Sequence, residues 1–272
     1  MSDVLVEVAT GVRVIALETP TLPPATHTNA YVIGERDVIV VEPASPRRRE
    51  QARLFDALED AECRVRAIYL THHHIDHIGA VEALVARTGA PVWAHAETAS
   101  RVPFAIDRVL AEGERIEDDT GRAWAALHTP GHAPGHLCLR DAEGTVIAGD
   151  MVAGVGTILV EPSEGSMSQY LASLRRMADG SRLLLPSHGP ALPDASAVLD
   201  HYVRHRLGRE DKVRTALRAS GPSTVAGLVP IAYADAPMHV WPLAALSLEA
   251  HLVKLVEDGE VVFDGERYRT LS

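Results

Sequence analysis

The chain has 272 residues, 46% hydrophobic and 23% charged, enough to bury a full globular core and leave room for a small second domain. Its formal net charge of −11 is concentrated in residues 1–194, with 27 Asp/Glu against 17 Lys/Arg, so most of the surface should repel polyanions. Two cysteines, Cys63 and Cys138, are too few for a disulfide framework, and no run approaches the ~20 apolar residues of a membrane span.

The opening segment, Met1-Ser-Asp-Val-Leu-Val-Glu7, has neither the basic start nor the apolar stretch of a secretory signal. A cytoplasmic location is therefore expected, with both thiols buried and reduced. Short β-branched runs at Val4 to Val8, Val12 to Leu17, Ala30 to Ile33 and Val38 to Val41 predict an antiparallel sheet. Helical spacing of Ala52, Leu54, Phe55 and Leu58 predicts a helix over Arg48 to Asp60, and Val65 to Leu70 reads as a buried strand. A helix near Ala80 to Arg87 follows, then a strand at Val92 to Ala94. Strands are expected at Ala123 to Leu127, Leu137 to Leu139, Val146 to Ala148 and Leu183 to Leu185, with a helix at Ser168 to Ala178. This mixture implies a layered α/β body. Beyond Pro193 come helical stretches at Ala195 to Ala219, Thr224 to Tyr233 and Leu243 to Asp258, then two short strands around an Asp264-Gly265 turn. Residues 1–194 thus read as one domain, and residues 195–272 as a small helical domain resembling a winged helix.

Chemistry concentrates in Tyr69-Leu-Thr-His-His-His-Ile-Asp-His-Ile-Gly79, which contains HxHxDH at His72, His74, Asp76 and His77. In a composition-matched chain this pattern arises by chance roughly 0.2% of the time, so coincidence is a poor account of it. Imidazole and carboxylate are the donors that Zn(II) and its neighbours prefer, and packing four of them into six residues is electrostatically wasteful without a cation. His132, Asp150 and His188 each follow a further apolar strand, and loops at the same ends of neighbouring strands converge.

On these motifs the sequence resembles the metallo-β-lactamase superfamily, whose αββα sandwich gathers five such segments at one edge of its two sheets. The resemblance implies that His72, His74 and His132 bind one metal, that Asp76, His77 and His188 bind the other, and that Asp150 bridges them. Two zinc ions are the default, with manganese or iron as alternatives. The segments Gly156-Thr-Ile-Leu-Val-Glu161, Ser187-His-Gly-Pro190 and His205-Arg-Leu-Gly-Arg-Glu210 look like the beta-lactamase-like protein 2 group, which adds a C-terminal winged helix. That group includes endoribonucleases and thioesterases. His136, in Pro-Gly-His-Ala-Pro-Gly-His136, is expected to hydrogen-bond near a ligand. His73 should point away from the metals, and His95 and His128 should be structural. His27 and Asn29 lie in a Pro-rich loop that could border the cleft.

Two metals sharing a hydroxide would serve hydrolysis, with Asp76 and Asp150 as ionised catalytic groups. The leading expectation is cleavage of an ester, thioester or lactone in a small or carrier-bound acyl substrate, by a chain that could form a homodimer. The alternative is a single-strand-specific endoribonuclease that uses the basic stretch of Arg204, Arg206, Arg209, Lys212, Arg214 and Arg218. A winged-helix DNA-binding regulator is disfavoured, because residues 243–258 hold one Lys and three acids.

Overall fold

The computed structural model describes residues 5–271. The first compact unit takes residues up to Thr129, Gly135–Thr157 and Asp179–Ser196. One of its sheets holds seven strands in sequence order: β1 (Val6–Ala9), β2 (Val12–Glu18), β3 (His27–Ile33), β4 (Asp37–Val41), β5 (Arg64–Tyr69), β6 (Val92–Ala94) and β7 (Arg108–Val109). Strands β1 to β4 pair antiparallel, and β4 to β7 parallel. The helices α1 (Arg48–Asp60), α2 (Ile75–Ile78), α3 (Val81–Thr88) and α4 (Ala96–Ala99) are interleaved with the later strands. The second sheet contains β8 (Arg115–Glu117), β9 (Ala123–His128), β10 (Leu137–Asp141), β11 (Thr145–Gly149), β12 (Leu183–Pro186) and β13 (Leu192–Pro193), in reverse spatial order.

Successive side chains on a strand face opposite ways, and the central strands use both faces for burial. Ala30, Val32, Val38, Val40 and Ile68 pack with Leu54, Leu58, Val81 and Leu84 of α1 and α3. Tyr31, Ile33, Ile39, Val41, Ala67 and Tyr69 point the other way, against Trp124, Leu137, Leu139, Ile147 and Leu185 of the second sheet. That double burial is why these segments read as continuous apolar runs. Truncating a wholly buried Leu54 or Ile68 to Ala would cost about 2–5 kcal/mol.

The second unit takes Pro130–Pro134, Ile158–Ala178 and Ala197–Ser272. It contains α5 (Met167–Ala178), α6 (Ala195–Ser220), α7 (Val225–Ala232), a 3-10 turn at Met238–Val240, α8 (Trp241–Glu257) and the hairpin β14 (Val261–Phe263) to β15 (Tyr268–Thr270). Val213, Leu217, Leu228, Leu248, Leu252, Leu255, Val261 and Tyr268 form its core. This is the expected winged helix. Spatial grouping departs from a single cut at 194/195, because α5 packs with α8 and Ser168 donates to Glu257 at 2.5 Å. The two- and three-residue strands β7, β8 and β13 and the one-turn helices α2 and α4 are not expected from the sequence. The strand expected from Val4 to Val8 runs from Val6 to Ala9, and Val4 lies outside the described residues. No helix among the described residues is long and apolar enough to cross a membrane.

Candidate metal centre

Parallel pairing of β4 with β5 and of β11 with β12 brings the C-terminal ends of these strands to the sheet edges from which the candidate ligands leave. After β5 the chain bends at Thr71, is extended at His74 (ψ 146°) and then turns once as α2, rather than running on as a loop. His72 and His74 come together with their Nε2 and Nδ1 atoms 3.0 Å apart, and the helical turn then presents Asp76 and His77. Asp150 follows β11 and His188 follows β12. His77 Nε2 lies 3.6 Å from Asp76 Oδ1 and 3.6 Å from Asp150 Oδ2. His188 Nε2 lies 3.6 Å from Asp76 Oδ2 and 3.4 Å from Asp150 Oδ1. Tetrahedral donors about 2.1 Å from a zinc ion stand about 3.4 Å from one another, so this spacing fits a shared cation.

The rings are held by their other nitrogens. Glu42, fully buried at the end of β4, accepts from Thr71 Oγ1 and from Ser187 Oγ at 2.6 Å, and lies 3.1 Å from His77 Nδ1 as an ion-pair partner. Thr71 spends its single proton on Glu42, so at 2.9 Å it accepts from His72 Nδ1, which leaves Nε2, 3.0 Å from His74 Nδ1, as the unprotonated ring nitrogen. His188 Nδ1 donates to His27 O at 3.0 Å. In the second unit, His132 Nδ1 donates to Leu159 O at 2.7 Å. His72, His132 and His188 therefore each have Nδ1 anchored by a hydrogen bond and direct Nε2 elsewhere, the usual preparation of metal-binding imidazoles, and the His77 ring is placed by the Glu42 carboxylate. Glu42 also lies near enough to His72 and His77 to be considered a ligand, but it faces their Nδ1 atoms, opposite the Nε2 atoms that meet the aspartates. It is a positioning carboxylate. Sequence reasoning missed Glu42, Thr71 and Ser187; the one available signal was an acid ending the apolar run Val38-Ile-Val-Val-Glu42.

The electrostatics of the centre are set by its buried carboxylates. Burial disfavours a protonated His77, yet Glu42, Asp76 and Asp150 outweigh it and hold its pKa well above the ordinary value. Burial also disfavours an ionised Asp150, but His77 and His188 keep its carboxyl well below the usual range. His188 is raised by Asp150 against both burial and His77. A cluster that collects protons in this way is one where a divalent cation can replace them.

His136 is fully buried, and its Nε2 accepts the Asp150 N–H at 3.1 Å while its Nδ1 donates to Thr129 Oγ1 at 2.8 Å. It thus fixes the backbone that carries Asp150. Gly149, at φ +52°, is required beside it, since a Cβ there would lie 2.4 Å from His136 Nε2 and 2.8 Å from Thr71 Oγ1. His73 is half-buried, edge-on to His74 at 4.9 Å. His95 and His128 stack on each other at 4.2 Å. His27 is exposed, next to Thr26 Oγ1. Asn29 is buried, and its amide donates to Pro186 O and Gly189 O at 2.9 and 2.8 Å. It is thus occupied in holding the loop that carries His188.

The basic stretch on α6 is largely neutralised within its own unit. Arg206 is buried against Ile158 O and the Tyr170 ring. Arg209 pairs with Asp235 at 2.9 Å and covers Tyr233, and Lys212 shares that aspartate. Arg214 meets Glu260, Glu210 and Asp211, and Arg204 meets Asp200. Asp235 and Glu260 are remote in sequence, which is why the stretch looks uncompensated there.

Residues 23–188 match the family model of the metallo-beta-lactamase superfamily, and residues 224–269 match that of the beta-lactamase associated winged helix domain. The chain is 27% identical to the Beta-lactamase-like protein 2 homolog of Drosophila melanogaster, over 86% of this chain and 84% of that protein. The solved beta-lactamase domain protein from Burkholderia ambifaria superposes with a TM-score of 0.86 at 23% identity, covering 99% of this chain and 94% of that one. Another solved relative, described in a di-iron-bound form, is 29% identical with a TM-score of 0.53, covering 65% and 95%. With the first family model spanning more than half of its length, the protein belongs to the metallo-beta-lactamase superfamily, a group of metal-dependent hydrolases, and carries the winged helix associated with it.

Proposed function

We propose that this protein is a binuclear metal-dependent hydrolase of esters, thioesters or lactones, acting in the cytoplasm on a small or carrier-bound acyl substrate. His72, His74 and His132 would hold one ion, Asp76, His77 and His188 the other, and Asp150 would bridge them. The observation that carries this reading is the convergence of the His77 and His188 Nε2 atoms on the Asp76 and Asp150 carboxylates at 3.4 to 3.6 Å, beside the paired rings of His72 and His74. Zinc suits these N and O donors, and so does iron, which the di-iron relative contains. When bound, such ions supply hydroxide at neutral pH and polarise the oxygen of the scissile group. The chain's own part is positional. Glu42 and Thr71 orient His77 and His72, His136 fixes the Asp150 backbone, His77 and His188 keep Asp150 ionised, and Asp76 faces the same two rings.

An acyl substrate is favoured over RNA because the α6 arginines are engaged within their own unit and the first domain is acidic. The test is elemental analysis followed by assay of the metal-loaded protein on matched esters, thioesters, lactones and a single-stranded oligonucleotide, with Asp76→Ala as the control for contaminating nuclease. About two ions per chain and acyl turnover lost in the control are expected. Salt-sensitive RNA cleavage that vanishes in the control, beside negligible acyl turnover, would overturn the substrate assignment.

A further inference from the structure

Two histidines outside the candidate centre share one face of a helix. His201 and His205 stand four positions apart on α6, and with about 3.6 residues to a turn their side chains leave the same stripe of its surface. Both are exposed. Their ring centres lie 6.3 Å apart, with the ring planes 24° from parallel. A pair of histidines at this helical spacing is the arrangement that offers two imidazole nitrogens to one zinc-like ion. His95 and His128 make the contrast. Their rings lie face to face at 4.2 Å, 11° from parallel, and His95 Nδ1 already accepts the Glu97 N–H, so that pair is not free to aim two lone pairs at one ion.

A nitrogen about 2.1 Å from a metal puts the centre of its ring about 3.2 Å from that metal. Two rings on one ion then have centres about 4.5 Å apart at a right angle, about 5.2 Å at the tetrahedral angle and about 6.4 Å when opposed. The observed 6.3 Å lies within that span, and a swing of about 1 Å by either exposed side chain reaches the tetrahedral value. Neither imidazole is held by a hydrogen bond or an ion pair among the described residues, so both keep a lone pair to give. The arginines interleaved with them are turned to other partners: Arg204 to Asp200, Arg206 to Ile158 O and Arg209 to Asp235. Farther along the stripe, a Cβ on Gly208 would meet nothing within 4 Å, and Ala197 on its other side is exposed. The flanks therefore leave room for the water molecules that a two-ligand ion must keep.

We propose that His201 and His205 form a further, exposed metal site, built from none of the residues of the candidate centre, which takes one divalent ion of the imidazole-seeking class, Zn(II), Ni(II) or Cu(II), with water completing its shell. Two protein ligands hold an ion more weakly than a closed set of four, so the site fills at metal concentrations above those that load the centre. The full chain and its His201→Gln/His205→Gln variant are loaded with zinc, freed of excess by gel filtration and titrated with Ni(II) by calorimetry. Wild type should take up one ion more than the double variant. Each single variant should bind that ion about 10-fold or more weakly, because the second imidazole acts at an effective concentration in the millimolar range or above. Electron paramagnetic resonance of added Cu(II) should show two nitrogen ligands in wild type and one in each single variant. Without added Ni(II) or Cu(II), hydrolytic turnover and the thermal midpoint should be the same in all four proteins. Equal uptake by wild type and the double variant, or full affinity kept by either single variant, would overturn the site. The readout is a difference between wild type and variant, so it decides the matter whatever number of ions the candidate centre itself takes.

Discussion

Replacing Glu42 probes the centre without touching a ligand. Its carboxylate receives the His77 ring directly and the His72 ring through Thr71, so Glu42→Ala strips the anchor from two imidazoles and leaves the Ser187 hydroxyl without its acceptor. Losing such a partner typically lowers metal affinity 10- to 100-fold; with two rings freed, a loss of about 100-fold is expected, equivalent to about 2.7 kcal/mol. Glu42→Gln is the finer test. The amide oxygen can still accept from Thr71 and His77 while the NH2 meets Ser187, so chiefly the charge disappears, and a loss of about 10-fold is expected. Both variants keep a Cβ at the left-handed φ of 55°, so backbone strain cancels from the comparison. Competition with a chromogenic chelator measures the affinities, and circular dichroism of the metal-free proteins checks the fold. Affinity of a folded Glu42→Ala protein within about twofold of wild type would refute the positioning role.

Asp150→Ala should lose far more activity than His136→Ala, which releases only the Asp150 backbone and should cost about 10- to 100-fold; equal mild effects in steady-state kinetics would contradict the assignment. Because Glu42, Asp76 and Asp150 raise the His77 pKa well above its ordinary value against the effect of burial, metal binding should release protons and tighten with rising pH, by up to about tenfold per unit for each proton displaced; calorimetry in buffers of differing ionisation enthalpy would detect no release if this is wrong. His251 is buried, and burial together with Arg206 and Lys254 lowers its pKa against the pull of Glu210. Its folded pKa lies below the unfolded value of 6.5, so its contribution is complete above that pH and is lost as pH falls through the window beneath it, at up to about 1.4 kcal/mol per unit; in denaturant melts of His251→Gln this part of the acid dependence should vanish. Changing Arg206, Arg209 and Arg214 together to Gln should lower the thermal midpoint by several degrees, since these groups tie α6 to its surroundings; an unchanged midpoint with lost RNA cleavage would favour the ribonuclease alternative.

Sequence patterns reveal what is local. The HxHxDH segment declares itself because its donors crowd into six residues, and the doubly buried strands β3, β4 and β5 declare themselves as apolar runs. Ser187 meets Glu42 across 145 positions, and Asp235 meets Arg209 across 26, contacts that no periodicity encodes. The strands β7, β8 and β13 are too short to show alternation and exist because a neighbouring strand pairs with them. Asn29 looked like a cleft residue because its loop is rich in proline, whereas its amide is committed to the backbone of 186 and 189.

Asp76 and His77 hang from the seven-stranded sheet, and Asp150 and His188 from the six-stranded one. A cation held by both pairs would rivet the two layers together, and any opening of the sandwich would have to release it. Free metal at 100 times its dissociation constant would add about 2.7 kcal/mol to the stability of the first unit. In a metal-starved cell the layers would part more often, and the amount of protein that survives proteolysis would follow the metal supply.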